Sequence, residues 1–363
     1  MLVNDNHYRK VKSDSVLNRL THFHVCSPGL PPCLGHDIFE GVVQYDVMLV
    51  LNYLIKKNNC SIETLNICLH NLKVNDISVN FPPFEEKNER LLGSAHENLL
   101  LIQLIPFVIV NLLTDLEDPV WQMLLLLRKI CGILLSAKLS VGQVFHLKYM
   151  MNQYITERLQ LFPEIPLRPK HHYLLHYPHL IIQFGPLKYL WTLHFESKHI
   201  YFKTIVKHCP NFRNILLSLS EKHQLLQALQ AHQPNVYEDK IISDKVVHYE
   251  SKYYSHTFQI LLVVFVSEYV CYRGTIYKKS SFLCYGQDQY GDFFILDLKN
   301  IIIDKNYTKL LFIGQSFTIC YDNCLGLYNK LSDGKLEACL HLIVTCSQVK
   351  KFAERRRKLF IYS

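Results

Sequence analysis

The chain has 363 residues, of which 49% are hydrophobic, so it can bury a substantial core and is not a wholly disordered protein. Its 39 lysines and arginines against 31 aspartates and glutamates give a formal charge of +8, which favours phosphate-bearing or acidic partners over cationic ones. The 12 cysteines are spread along the chain, a pattern typical of reduced thiols and not of a disulfide-rich secreted scaffold.

The chain begins with a polar segment that lacks a signal-peptide core, so we expect a nuclear or cytoplasmic protein. The most membrane-like stretch is residues 99–113, but Gln103, Pro106 and Asn111 interrupt it. It is also shorter than the roughly 20 apolar residues that a membrane span needs. We therefore predict a buried helix pair here and no membrane partner.

Residues 1–235 are predicted to be mostly helical, because apolar runs recur at three- and four-residue spacing between proline clusters. Four helices are predicted, at about residues 38–56, 96–113, 119–135 and 141–161. In the third of these helices, Asp118 is the predicted N-cap and Pro119 the first helical residue.

After about residue 255 the pattern changes to short β-branched and aromatic runs separated by Gly, Asp and Asn, which predicts a small antiparallel β domain at 255–347. The predicted strands lie at residues 258–266, 269–277, 293–298 and 310–313. Residues 236–254 are predicted to be a linker. Residues 348–363 form a basic tail, either a solvated charged run or a nuclear-import signal.

One candidate site lies on a helix that is predicted to begin after Gly185-Pro186 and to run to about His208. One face of this helix carries Thr192, Glu196, His199, Lys203 and Lys207. A carboxylate on a basic face is suited to holding a divalent ion near a phosphate. The alternative, which spacing alone favours, is an ordinary helical glutamate in contact with residues three and four positions away.

A second candidate site lies in the proline-stiffened loop that precedes the first predicted helix. This loop delivers His36 and Asp37 just ahead of the apolar residues. Asp37 can therefore cap that helix or bind a metal, and capping is the commoner use.

Together, the two segments resemble the transposase family of CACTA, or En/Spm, elements. The resemblance covers about residues 10–330 and rests on five ordered segments: GLPPCLGHDIFEGVV (29–43), LGSAHEN (92–98), WQMLLLLRKI (121–130), PKHHYLLHYP (169–178) and FGPLKYLWTLHFESKH (184–199). It implies an α+β protein, namely the mostly helical rear part of a ribonuclease-H-like core in residues 1–235. A large helical insertion at about 56–161 would interrupt this core, and the small antiparallel β domain would follow it.

In such a core, three carboxylates hold two Mg²⁺ or Mn²⁺ ions that activate water at a phosphodiester. The resemblance makes Glu196 the carboxylate of the last core helix and Asp37 the candidate for the second. The first carboxylate would lie on an earlier strand, and the 36 residues before Asp37 contain no aspartate in a strand-like pattern. We therefore expect a chain that is truncated at its front and catalytically incomplete.

The similar core of the V(D)J recombinase places two histidines five residues apart and a catalytic glutamate twenty residues later. His171, His176 and Glu196 have this spacing, so His171 and His176 are candidate metal ligands. A zinc site of this kind also needs a closely spaced cysteine pair, and Cys60 and Cys68 lie too far apart for the usual motif. Packed or hydrogen-bonded histidines are the favoured alternative.

The expected function is that of a transposase-derived protein that binds DNA weakly through Lys198, Lys203, Lys207 and the basic tail. The alternative is a host-adapted scaffold that binds another protein or itself without catalysis. A reading frame without a selected function is a third interpretation. Carboxylates that share one metal would lie within about 6 Å of each other, so the positions of Asp37 and Glu196 discriminate between the first two.

Overall fold

Helices occupy the described residues before 246 and strands those from 246 onwards. The computed structural model describes residues 15–22, 24–25, 29, 31–57, 60–71, 81–85, 88–208, 213–232, 246–250, 263–272, 275–304, 310–324, 327–331, 336–341, 351–355 and 358–362. The helices are α1 (Val43–Lys57), α2 (Ile62–His70), α3 (Ala95–Ile109), α4 (Pro119–Leu134), α5 (Val141–Leu161), α6 (Pro169–Leu174), α7 (Tyr177–Phe184), α8 (Leu193–His208) and α9 (Ile215–His232). A π-helical segment, Gly35–Val42, continues directly into α1.

The helix starts follow from polar residues that satisfy the free N–H groups of the first turn. The predicted start of α4 is confirmed, because the Asp118 carboxylate accepts the backbone N–H groups of Val120 and Trp121 at 2.7 and 3.2 Å. Ser94 begins α3 and Ser140 begins α5, and each forms a reciprocal capping box with the residue three positions later.

Apolar faces of α1, α3, α4 and α5 pack into one hydrophobic core. Two helical stretches, Gly35–Lys57 and Ala95–Leu112, are long and apolar enough to cross a membrane, but 67% and 61% of their most apolar windows are buried inside the protein. This burial is typical of core helices. The helix pair predicted for residues 99–113 is instead a single helix, α3, followed by the 3-10 turn Val110–Leu112.

The helix predicted to start at Gly185-Pro186 starts later than expected. Gly185 has a φ of +81°, a conformation that favours glycine, and it ends α7. Leu187–Tyr189 then form a 3-10 turn, and α8 begins only at Leu193. Thr192 therefore stands immediately before α8 and not within it.

The strands are β1 (Val246–Glu250), β2 (Val263–Ser267), β3 (Tyr269–Tyr272), β4 (Thr275–Lys278), β5 (Phe282–Gln287), β6 (Phe293–Asp304), β7 (Leu310–Asp322), β8 (Leu327–Lys330), β9 (Leu336–His341), β10 (Lys351–Arg355) and β11 (Lys358–Tyr362). Nine of them form one antiparallel sheet in the order β1-β2-β6-β7-β8-β11-β10, with β5 also paired to β6 and β9 to β7; β3 and β4 pair separately. Helices followed by an antiparallel sheet confirm the predicted α+β class.

The sheet extends beyond the predicted β domain of residues 255–347. β1 lies within the predicted linker and pairs with β2, while β10 and β11 lie within the predicted basic tail and pair with each other. Apolar residues among the tail's charges, such as Phe352 and Ile361, supply an alternating strand pattern that the charge run obscures.

The β7–β8 turn packs against the helical core. The Trp121 indole N–H donates to the Cys324 carbonyl at 2.8 Å, and Leu327 packs between Leu104 and Phe107 of α3. The sheet and the helices therefore share buried contacts, although they follow one another along the chain.

Candidate functional site

The two motif segments of the sequence meet in space where the loop before the π-helical segment touches the start of α8. The Cys33 Sγ lies 3.0 Å from the Thr192 Oγ1, and the Thr192 backbone N–H donates to the same sulfur at 3.3 Å. We call this place the loop–α8 junction, and define it by Cys33, His36, Glu40, Thr192 and Glu196.

His36 is the centre of the loop–α8 junction and uses both of its ring nitrogens there. Its Nδ1 lies 3.3 Å from the Cys33 Sγ and 3.3 Å from the Thr192 Oγ1. Its Nε2 faces two carboxylates, at 3.8 Å from the Glu196 Oε1 and 3.9 Å from the Glu40 Oε2. The hydrogen bond with Cys33 and the charges of Cys33, Glu40 and Glu196 raise the pKa of His36 above its usual value, against the effect of burial.

Cys33 is the sulfur partner in this junction. Partial burial acts to raise the pKa of its thiol, but hydrogen bonds from His36 and Thr192 outweigh burial, and the pKa lies below its usual value. The lowered pKa of Cys33 and the raised pKa of His36 both favour a thiolate beside a protonated imidazole. The sequence signal for this pair is a cysteine three residues before a histidine at a helix start.

Asp37, the predicted second catalytic carboxylate, pairs with a tyrosine. It is buried, and its Oδ2 accepts the Tyr177 hydroxyl at 3.4 Å. Burial raises the pKa of the Asp37 carboxyl above its usual range, against the positive charge of Lys170 and the hydrogen bond from Tyr177. Glu196, in contrast, is exposed and contacts His36 and Thr192. The backbones of the two motifs meet, but the two carboxylates have different partners.

Asp37 does not cap the helix either. Leu34 occupies the N-cap position of the π-helical segment, and Asp37 lies within its first turn. Lys170 from α6 holds this turn in place, because its Nζ donates to the backbone carbonyls of His36 and Glu40 at 2.6 and 3.2 Å.

His171 and His176, the predicted zinc ligands, point to different partners. The His171 Nδ1 accepts the Arg168 backbone N–H at 3.1 Å, so in the neutral ring Nε2 carries the proton and donates it to the Asp46 Oδ2 at 2.9 Å. Both nitrogens of His171 are thus occupied by protein groups. The His176 Nε2 instead lies 3.0 Å from the His172 Nε2 on the surface.

Asp46 is the centre of a buried polar cluster that sequence reasoning missed. Its carboxylate contacts His171, the Tyr154 hydroxyl and the Arg158 Nε, the last at 3.2 Å. Burial acts to raise the pKa of Asp46, but these three partners hold it below its usual range. The sequence does contain one signal for this cluster: Asp46 lies on the apolar face of α1, together with Val43, Val47 and Val50.

The donor groups do not fit the two-metal centre that the resemblance implies. Hard cations require several oxygen ligands at about 2.0–2.6 Å. Here the carboxylates of Glu40 and Glu196 face the His36 ring, and the Asp37 carboxyl is hydrogen-bonded to Tyr177. Over the described ranges, no group of three or more His, Cys, Asp or Glu side chains is placed to hold a metal ion.

The predicted DNA-binding lysines are exposed on α8: Lys203 and Lys207 lie one turn apart, and Lys198 lies on the opposite side of the helix. Tyr201 and Phe202 pack against His223 of α9, with ring centroids 6.3 and 5.5 Å from that imidazole. This aromatic contact faces α9 and leaves Lys198, Lys203 and Lys207 exposed. The three ammonium groups are therefore accessible to a phosphate backbone.

Comparisons with known proteins assign no family or function to this chain. No protein-family model, curated protein or solved structure matches the chain. The chemistry of the loop–α8 junction and of α8 is therefore argued from their own geometry.

Proposed function

We propose that this protein is a transposase-derived DNA-binding protein that does not cleave DNA by itself. The observation that carries the proposal is the contact of 3.8 Å between the His36 Nε2 and the Glu196 Oε1. It joins two segments that lie 160 positions apart and that both belong to the resemblance. Segments of a common catalytic site are expected to meet in this way, and the ribonuclease-H-like ancestry of the core is part of the proposal.

The absence of cleavage follows from the donor groups. A strand-cleaving site of this class uses carboxylates that share two Mg²⁺ or Mn²⁺ ions. Here Asp37 is buried against Tyr177, and Glu196 contacts the His36 ring, which can itself carry a positive charge. A protonated His36 would compete with a cation for the Glu196 carboxylate.

We assign DNA binding to the exposed lysines of α8. Lys198, Lys203 and Lys207 are exposed within three turns of one helix, and the whole chain carries a formal charge of +8. Lysines that neutralise phosphates release counterions, so the affinity falls as salt rises. We place this function in the nucleus, where duplex DNA is available.

The test is fluorescence anisotropy with a labelled 30-base-pair duplex over a series of KCl concentrations. Replacing Lys198, Lys203 and Lys207 by alanine should weaken binding and reduce the slope of log affinity against log salt by about 0.9 for each lost contact. The matched control replaces three exposed lysines elsewhere, Lys138, Lys148 and Lys279, and loses the same charge. Equal losses in the two variants would show that net charge, and not α8, binds DNA.

Cleavage is tested separately with supercoiled plasmid and Mn²⁺. We expect no nicking by the wild-type protein or by its Glu196→Gln variant. Nicking by the wild type that the variant loses would contradict the non-cleaving part of the proposal and would leave the DNA-binding part standing.

A protein-binding function is the second candidate, and the apolar surface of α9 favours it. Leu216, Leu225 and Leu229 are exposed on this helix, and Leu225 and Leu229 lie one turn apart on the same face. Self-association through this face is tested by analytical ultracentrifugation of the wild type and of a Leu225→Glu/Leu229→Glu variant. A dimer that the variant abolishes would support it, and a monomeric wild type would exclude it.

A further inference from the structure

We propose that Cys33 is a selectively reactive thiol, a modification site for hydroperoxides and soft electrophiles. The reactivity of Cys33 does not depend on DNA binding, because it follows from the contacts of the sulfur and the charges around His36. It concerns a residue to which neither the resemblance nor the proposed function assigns a role.

Three hydrogen-bonding groups surround the Cys33 sulfur. The Cys33 Sγ accepts the Thr192 backbone N–H and also lies within 3.3 Å of the His36 Nδ1 and 3.0 Å of the Thr192 Oγ1. A thiol has one hydrogen, which can serve only one of the last two contacts. The environment therefore favours a sulfur that accepts hydrogen bonds, and such bonds stabilise the anionic form.

The charges around the loop–α8 junction also favour a thiolate at Cys33. The far side of the His36 ring faces the carboxylates of Glu40 and Glu196, which favours a positive imidazole next to the sulfur. Cys33 also precedes the helical stretch Gly35–Lys57, at the end where the helix dipole favours negative charge.

Three other cysteines of the chain have different surroundings from Cys33. Burial raises the pKa of the Cys131 thiol to about 12. Cys324 donates its proton to the Glu117 Oε1, and this hydrogen bond raises the pKa of the Cys324 thiol. Cys60 is partly exposed, as Cys33 is, but its thiol donates to the Ser61 carbonyl at 3.4 Å. Of these four cysteines, only Cys33 has a sulfur that accepts a backbone N–H from another segment and lies within hydrogen-bond distance of a histidine ring nitrogen.

The proposed step with a hydroperoxide is a two-electron oxidation. The Cys33 sulfur attacks the terminal peroxide oxygen, a sulfur–oxygen bond forms and the oxygen–oxygen bond breaks. The leaving alkoxide or hydroxide takes up a proton from water. Sulfur is oxidised to a sulfenic acid, and the peroxide is reduced to an alcohol or to water.

The experiment labels the folded, full-length protein and reads each cysteine by peptide mass spectrometry. One sample receives a pulse of substoichiometric iodoacetamide, and another receives hydrogen peroxide followed by dimedone, which traps sulfenic acids. Cys33 should be alkylated about tenfold faster than Cys60, the internal control, and should carry most of the dimedone. A Cys33 rate equal to that of Cys60 would overturn the proposal.

Two variants test the cause of the reactivity. His36→Gln and Thr192→Val each remove one contact to the sulfur, and each should slow Cys33 alkylation several-fold while the Cys60 rate stays unchanged. Cys131 is buried, so its labelling indicates that a variant has unfolded. If one variant unfolds, the Cys33 rate in the other variant is used for the test. A folded pair of variants in which Cys33 reacts at the wild-type rate would also overturn the proposal.

Discussion

The His171 Nε2 lies 2.9 Å from the Asp46 Oδ2, and both side chains are only 1% exposed. This bond ties α6 to α1 across 125 positions of sequence. The same carboxylate also contacts Arg158, so a buried positive charge depends on it. His171 thus has a structural partner where its spacing suggested a metal.

Replacing Asp46 by asparagine should lower the free energy of unfolding by about 3 kcal/mol, because the charge of Arg158 is then left buried without a counterion. Urea denaturation at pH 7 measures the change. The matched control is Asp115→Asn on the exposed surface, which should change stability by less than about 0.5 kcal/mol. Similar losses in the two variants would contradict a special role for Asp46.

The pH dependence of stability should report the same cluster. The pKa of Asp46 is lower in the folded protein, so its contribution is fully present above the unfolded value of about 3.9 and is lost as the pH falls through the folded pKa. The stability difference between wild type and Asp46→Asn should therefore be constant from pH 7 to about pH 5 and should narrow in more acidic solution. A constant difference down to pH 2 would argue against this linkage.

Asp37→Asn should stabilise the protein at pH 7, on the order of 1 kcal/mol, because it removes a carboxylate that burial disfavours in its charged form. The pKa of Asp37 is higher in the folded protein than in the unfolded chain. At a pH between these two values, the folded protein keeps a proton on Asp37 that the unfolded chain has lost. Wild-type stability falls as the pH rises through that window. The advantage of the variant should thus appear above the window and vanish below about pH 4. Thermal melts at pH 4 and pH 7 check this, and destabilisation at pH 7 would contradict it.

Leu327→Ala should destabilise the contact between the sheet and the helical core. Leu327 is 0% exposed and packs against Leu104 and Phe107, so its truncation leaves a cavity that typically costs about 2–5 kcal/mol. Leu331→Ala, in the same part of the sheet but exposed, is the control and should be nearly neutral. Equal urea midpoints for the two variants would show that this contact contributes little.

The sequence alone was sufficient to locate most helices and the change from helices to strands. Spacing of apolar residues and the caps at Asp118 and Ser140 act over a few residues, so the bounds of α4 and α5 agree closely with those predicted. The two motif segments could also be recognised, because their residues are contiguous. The late start of α8 could not be predicted from the sequence. A 3-10 turn after Gly185 and an α-helix that begins there have nearly the same sequence requirements.

The partner of each polar side chain was decided only by tertiary structure. Asp37 and Glu196 are both carboxylates beside apolar runs, yet packing buries Asp37 against Tyr177 and leaves Glu196 beside His36. Thr192, one partner of Cys33, and all three side-chain partners of Asp46 lie more than 100 positions away. Local pattern determines which face of a helix is polar, but only the packing of helices distant in sequence determines which group that face meets and how its charge is stabilised.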